Sequence, residues 1–559
     1  MASMRTPYVC LHCRPHTRQL SASPSPFRRA FSISASRRAN PAPPRPPTAP
    51  KPTPNIKHIR ENADRYSKNC IDRNYQALSN HPYEIQRLSD ELRQIQESLR
   101  EPQREIKQLE ASIEKLMIET TKTPSLLTDE TKTELSTLRQ SAQALKEKTA
   151  SLTAQRAQYT KEIESLALSL PNLTSRPTPR DDKPKLISYV NYKPTNQPPY
   201  TTNPSYPRPS HVTIGTTLNL LNFTSSAHTT GWGWYFLTNE AALLEQALIQ
   251  YALSIALQRG WKPVSPPSLV YSHIADACGF QPRDAHNEQQ IYAIEQSQRD
   301  VERGRPTRCL AGTAEIPLAA MYAGQEVKVP TKLVGVSRCY RAEAGARGVD
   351  TKGLYRVHEF TKVELFAWGM PDGDGAGKGA GAGASTSASI IPGAEEAITA
   401  TDLFKEIVTM QCDILKSLNL PARVMEMPVQ DLGASASRKR DVEVLFPSRI
   451  STTTTNGDND SGLDISTGWG EVTSASICTD YQSRRLGTRI KSKKGKKGAD
   501  DDAAEVEKFP HTVNGTAMAV PRVIAALLEH GWDERKGVVV VPEPLRRWMG
   551  GRAEIVGME

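Results

Sequence analysis

The sequence is poor in closely spaced cysteines: of eight in 559 residues, only Cys10 and Cys13 stand near each other. Cys10-Leu11-His12-Cys13, with His16 nearby, has zinc-like spacing, but no second ligand pair follows at ribbon distance, which argues against a structural metal. The remaining thiols read as reduced core residues of an intracellular protein. No apolar run approaches the length of a membrane span, so the mature protein is expected to be soluble. Acidic residues are missing from the first sixty positions. Through Lys51 the chain carries eight Arg and one Lys, nine of its ten net positive charges, which leaves the rest nearly neutral. Nucleic-acid binding therefore has to be argued from local patches, not from the total.

That acid-free stretch is rich in Arg and Ser, and Arg29-Ala30-Phe31-Ser32-Ile33-Ser34 with Arg38 resembles a matrix-processing site. It predicts a mitochondrial transit peptide cut near Arg38, the plainer alternative being a disordered basic tail. The Pro-rich Pro41–Pro54 run cannot continue a helix. Residues 1–50 are set apart as transit peptide and linker.

From Ile85 to Leu116 the apolar positions step by three and four, through Leu88, Leu92, Ile95, Leu99, Ile106, Leu109 and Ile113. This is a coiled-coil seam. Pro102 falls in it and should kink the helix. A second run passes through Leu135, Leu138, Leu145, Leu152, Tyr159, Ile163, Leu166 and Leu170, with Thr149 and Arg156 weakening its middle. Thr120–Asp129, holding Pro124 and Ser125, reads as the turn between them. The spacing predicts an antiparallel hairpin roughly 50 Å long. Periodicity alone leaves open whether it reaches a large partner or serves dimerisation.

Residues 51–172 make up this N-terminal domain, 173–210 a Pro-, Thr- and Tyr-rich linker, and 211–559 the main domain. The main domain carries polar or Gly-rich insertions near 371–392, 450–465 and 491–506, read as surface loops. Lys491–Lys497 could touch RNA, but a solvated charge run explains it as well. Pro263, Pro266 and Pro267 suit an edge or interface strand.

The centre of the main domain is Lys332–Trp368, two strands around a Gly-rich basic loop. Strand alternation puts Arg341 and Glu343 on one face of the first, and Phe360, Lys362 and Glu364 on one face of the second. So much charge on a central hairpin is costly to bury without a partner. Four stretches combine with it: Gly312-Thr313-Ala314-Glu315-Ile316-Pro317, Cys339–Gly345 with His358–Glu364, Glu471-Val472-Thr473-Ser474, and Asn514–Arg522. In this order they resemble the class II aminoacyl-tRNA synthetases, and among them the seryl-tRNA synthetases, of the mitochondrial kind once the basic leader is counted.

The resemblance implies an α+β fold: a class II synthetase antiparallel β-sheet catalytic domain flanked by helices, with an N-terminal antiparallel α-helical coiled-coil arm. It implies ATP-dependent attachment of L-serine to tRNA-Ser through a seryl-adenylate, in a homodimer of the mitochondrial matrix with no membrane association. Arg341 would contact the α-phosphate of ATP and Arg522 the terminal phosphate, as the catalytic pair. Phe360 would stack under adenine with Arg522 as a lid, and Glu343 would contact the adenine edge; Phe360 by itself reads as core. Glu471 and Ser474 would hold Mg2+, which needs a bulge or strand end, since residues three apart point to opposite faces of an unbroken strand. Thr313 and Glu315 would meet the serine ammonium, with Glu364, Asn514 and Thr516 around its hydroxyl. Arg347 and Lys352 would lie near the tRNA acceptor end, and the arm would read the shape of the long variable arm.

A catalytically silent paralogue, acting as an RNA- or partner-binding module, is the other reading. Loss of a motif arginine or of Glu364 would mark it, yet Arg341, Arg522, Glu315, Glu364 and Glu471 are all present.

Overall fold

The computed structural model describes residues 45–123, 128–280, 289–343, 353–372, 398–454, 461–491 and 509–557. Nearly all of the leader, Arg347, Lys352 and most of the three insertions lie outside them.

Two short helices, α1 (Ile56–Glu61) and α2 (Ala63–Asp72), precede the arm, whose helices are α3 (His81–Lys122) and α4 (Asp129–Ser169). Pro82 opens α3, where its missing N–H costs nothing, and the Thr128 hydroxyl accepts from Thr131 N–H to cap α4. At 1.5 Å per residue, the 42 residues of α3 span about 60 Å. The seam is buried near the base, at Ile85, Leu88, Ile95, Leu99 and Ile163, and half-buried beyond Pro102. Two helices alone cannot cover it further out. Helix α3 continues through Pro102. Thr149 fits the seam because its hydroxyl donates to the Leu145 carbonyl at 2.9 Å, so the side chain can be buried without an orphaned donor. Arg73, almost fully buried, fastens the arm base to the main domain by donating to the Asn172 and Gly433 carbonyls.

The main domain is built on eight strands: β1 (Lys185–Val190), β2 (Lys262–Val264), β3 (Thr331–Tyr340), β4 (Glu359–Gly369), β5 (Ala422–Glu426), β6 (Arg438–Leu445), β7 (Trp469–Thr479) and β8 (His511–Ala519). Their spatial order is β1-β5-β6-β7-β8-β4-β3-β2, antiparallel except for β2 beside β3. Helices α5 (His211–Thr217), α6 (Phe223–Thr229), α7 (Asn239–Gln258), α8 (Glu315–Ala320), α9 (Ala400–Ser417), α10 (Tyr481–Leu486) and α11 (Val520–Gly531) surround it. The largest apolar core joins the sheet to α7, α9 and α11 through Leu248, Phe404, Ile407 and Ile524. Trp368 and Phe366 belong to a second core, with Ile316 and Leu318 of α8.

Three expectations are corrected. The 173–210 segment is more than a linker, since it supplies edge strand β1. The first hairpin strand ends at Tyr340, so Arg341 and Glu343 lie beyond it, Glu343 with a left-handed φ of 46°. The described flanks of the 450–465 insertion, Ser451–Thr454 and Ser461–Asp464, pair as an antiparallel ribbon. Pro263 does sit on an edge strand, where its missing N–H leaves no gap in the ladder.

Candidate functional site

Strands β3, β4, β7 and β8 are adjacent; Arg341, Glu343, Phe360, Glu471, Ser474, Thr516 and Arg522 line one cleft on and around them, and Thr313, Glu315, Glu364 and Asn514 lie in a buried acidic cluster joined to it through Lys362. Gln411 of α9 staples two of these strands by donating to the Ser474 and Thr516 carbonyls, at 2.7 and 3.0 Å. Two bulges aim the side chains. In the β6–β7 ladder Val442 faces Thr473 while Glu443 faces Glu471, leaving Val472 as the extra residue. The alternation resets there, and Glu471 and Ser474 both line the cleft. A second bulge, at Ala517, sets Glu364 opposite Thr516.

On the cationic side, Arg341 leaves the end of β3 with its guanidinium 5.2 Å from the Phe360 ring centre and its Nε donating to the Gly312 carbonyl at 3.4 Å. Arg522, in the first turn of α11, donates to the Tyr355 and Glu471 carbonyls at 3.1 and 2.9 Å and meets the Glu471 carboxylate at 3.2 Å. It lies against Tyr355, 4.6 Å from the ring centre. Arg341 thus lies against the Phe360 ring and Arg522 against Tyr355, both beside the place expected for adenine. Surrounding protein by itself would raise the Glu471 pKa, but Lys439, Arg522 and Arg341 hold it down to about 2. Its carboxylate remains 35 % exposed toward the cleft. An ionised carboxylate beside a hydroxyl suits a hard cation that also takes phosphate oxygens, so this donor set fits Mg2+ without a third protein acid.

On the acidic side, Glu315 accepts from Gln482 Nε2 at 2.6 Å and from Asn514 Nδ2 at 2.8 Å, and its own N–H donates to Thr313 Oγ1 at 3.3 Å. Burial, and then the nearby Glu364 charge, push its pKa up to about 7 against the Lys362 charge and the Gln482 hydrogen bond. Glu364 is 1 % exposed and pairs with Lys362 Nζ at 2.5 Å, yet its Oε2 has no well-directed hydrogen bond. A buried acid pair with one lysine leaves room for a small cation carrying a hydroxyl.

Six further residues belong to the site. Tyr355 donates from its hydroxyl to the Glu471 carbonyl at 3.0 Å; Arg356 lines the cleft 3.9 Å from Glu343; Lys362 and Gln482 hold the acid pair. Lys439 pairs with Asp441 at 2.9 Å, and Asp441, opposite Ser474, is raised to about 7 by burial and by Glu471, with its Oδ1 unpartnered. The signal for this last pair is the alternating Lys439, Asp441, Glu443 of β6.

A profile for seryl-tRNA synthetase N-terminal domains matches residues 55–174, and one for the class II tRNA synthetase core (G, H, P, S and T) matches 293–374 and 391–531. The mitochondrial serine–tRNA ligase of Saccharomyces cerevisiae is 39 % identical over 429 residues, 76 % of this chain and 81 % of that one. The mitochondrial enzyme of Schizosaccharomyces pombe is 36 % identical over 88 % of this chain and 87 % of its own. Among solved structures, seryl-tRNA synthetase from Pyrococcus horikoshii complexed with ATP aligns with a TM-score of 0.63 at 25 % identity, over 90 % of this chain and all of that one. With an arm of two long helices joined to a largely antiparallel sheet, and both motif arginines lining the cleft beside it, the chain belongs to the seryl-tRNA synthetase family of class II aminoacyl-tRNA synthetases.

Proposed function

We propose that the chain attaches L-serine to tRNA-Ser in mitochondrial translation, in the matrix, as a serine–tRNA ligase. The observation that carries the reading is the joining, in one cleft, of a buried acid pocket to an arginine pair around Glu471. Serine enters with its ammonium toward Thr313 and Glu315 and its hydroxyl toward Glu364, Asn514 and Thr516. Alanine is rejected because it leaves the Glu364 carboxylate without a donor, and threonine by size. The serine carboxylate attacks the α-phosphate of ATP; its oxygen bonds to phosphorus and pyrophosphate leaves, giving seryl-adenylate. Arg341 neutralises charge growing on the α-phosphate, Arg522 holds the terminal phosphate, Phe360 stacks adenine and Glu343 contacts its edge. Glu471 and Ser474 would hold Mg2+, which when bound would supply further neutralisation of phosphate charge. A ribose hydroxyl of the terminal tRNA adenosine then takes the seryl group and releases AMP.

The mitochondrial relatives support the location. A homodimer is supported by the half-exposed Leu269 and Met321 near the Pro-rich edge. Serine-dependent ATP–pyrophosphate exchange on protein starting near Ala39 tests the reading. Exchange with serine, absent with alanine and lost in Glu364→Ala and Arg341→Ala, is expected; no exchange from folded, Mg2+-supplied protein would overturn it.

A further inference from the structure

Beside the cleft lies a cavity of about 690 Å³ that none of these roles uses. Tyr355 lines both and separates them, with the Arg522 guanidinium 4.6 Å and the Arg449 guanidinium 4.5 Å from its ring centre. The outer wall is Gly231-Trp232-Gly233-Trp234. Both glycines have positive φ, 112° and 84°, and a Cβ on Gly233 would come within 2.4 Å of His358. Only glycine lets the loop press this close. Trp234 stacks on the His358 ring at 5.8 Å, and Trp232 meets the same ring edge-on at 6.1 Å. His358 is itself fixed, its carbonyl accepting from Arg341 N–H at 2.8 Å. The Trp pair is thus braced on the backbone that places Arg341. Trp232 is nevertheless 64 % exposed, more than any other large apolar side chain among the described residues. Phe446 completes an aromatic lining in which Arg449 is the charged side chain and no carboxylate takes part among the described residues.

We propose that this cavity stacks an unpaired base of the tRNA acceptor strand, one preceding the terminal adenosine; the inference rests on the functional reading above. Ring faces beside a guanidinium, with no carboxylate, attract a base and tolerate its phosphate, while the guanidinium repels a cationic ligand that the rings alone would accept. The volume lies within the range of roughly 300–1,000 Å³ usual for small-ligand sites. The position supplies the choice of strand. The terminal ribose must reach the cleft, and the wall at Tyr355 makes the cavity the next chamber along an approaching single strand. An adenine of ATP is already provided for at Phe360.

The test compares full-length wild type, Trp232→Ala and Trp232→Phe in serine-dependent pyrophosphate exchange and in tRNA charging. It also uses a tRNA-Ser transcript with 2-aminopurine at the unpaired position nearest the acceptor helix. Trp232→Ala should lower kcat/KM for tRNA by at least tenfold more than it lowers that of exchange, through KM, and Trp232→Phe should recover to within about threefold of wild type. The 2-aminopurine emission should be quenched by wild type and not by Trp232→Ala. Equal losses in both assays, or no loss in either, would overturn the proposal. The quenching experiment requires no catalysis, so it judges the cavity even where the exchange assay rejects the ligase reading.

Discussion

Charged side chains in the arm face water. Lys146 and Glu110 bridge the two helices at 2.7 Å with both side chains 52 % exposed, and Arg87 reaches Glu84 and Glu91 along one helix. Such pairs contribute about 0–1 kcal/mol each and are exchangeable among many sequences. Acids slightly outnumber bases in α3 and match them in α4, so the arm has no strong field for RNA. In the cleft the charges are wholly or partly withdrawn from water. Lys362 and Glu364, Lys439 and Asp441, and Arg522 beside Glu471 each had to be removed from water, at a cost that one partner alone does not offset. The arm's stability therefore resides in its seam, while the cleft gives up stability to hold charges in fixed places.

This contrast breaks most sharply on deletion. Arg341→Ala should cut exchange by about 10³-fold, the scale for losing a transition-state charge partner. Removing Gln103–Thr153 and closing the hairpin with a short Gly-rich turn should leave exchange within about threefold. Charging of tRNA should fall by about 100-fold, near 3 kcal/mol. The cut keeps Ile85, Leu99, Ile163 and the Arg73 anchor, on which folding of the base depends. Equal loss in both assays would show that the arm supports the cleft and is not a separate reader of shape.

The same contrast explains what could be read from the sequence. The arm was legible because its structure is local: a three-four step and a turn define both helices. Thr149 looked like a flaw only because its hydroxyl partner, the Leu145 carbonyl, leaves no trace in composition. In the cleft the residues carrying chemistry were visible through ordered motifs, since no periodicity joins Glu315 to Asn514 across 199 positions. What the motifs omitted are the residues that hold others, such as Gln411, Lys439 and Gln482, which arrive from different elements. Strand β1 was missed for another reason. It is exposed on nearly every residue as an edge strand, so it shows no alternation of polarity. The contact of Arg522 with Tyr355 went unread because Tyr355 lies outside the strand pattern.

Protonation separates the regions at smaller amplitude. With its pKa raised to about 7, Glu315 is largely neutral below that pH and ionised above it. A cationic ammonium binds the ionised form, so binding expels a proton at low pH and is weakened there. KM for serine should fall about tenfold per unit as pH rises from 5.5 to 7, then level off, and Glu315→Gln should flatten the curve. Asp441 is also raised to about 7, by burial and by the Glu471 charge, so it bears on KM for ATP. Arm-dependent affinity for tRNA, measured as the ratio between full-length and shortened protein, should not follow this curve. A shared dependence would merge the two regions electrostatically.

The smallest effect belongs to Pro102. Helix α3 runs through it, although a proline has no N–H to give the carbonyl four residues back, at Ser98. In a helix interior the residue disfavours the helix by up to about 3 kcal/mol relative to alanine. Here it falls where the seam changes from buried to half-buried, so the loss is local and water can take the place of the donor. Pro102→Ala should slow amide hydrogen exchange between Ser98 and Ile106 by about tenfold, leave pyrophosphate exchange unchanged and alter charging by less than threefold. A tenfold loss of charging with unchanged exchange would mean that the proline aims the outer arm, and that this exposed helix is positioned as strictly as the buried charges of the cleft.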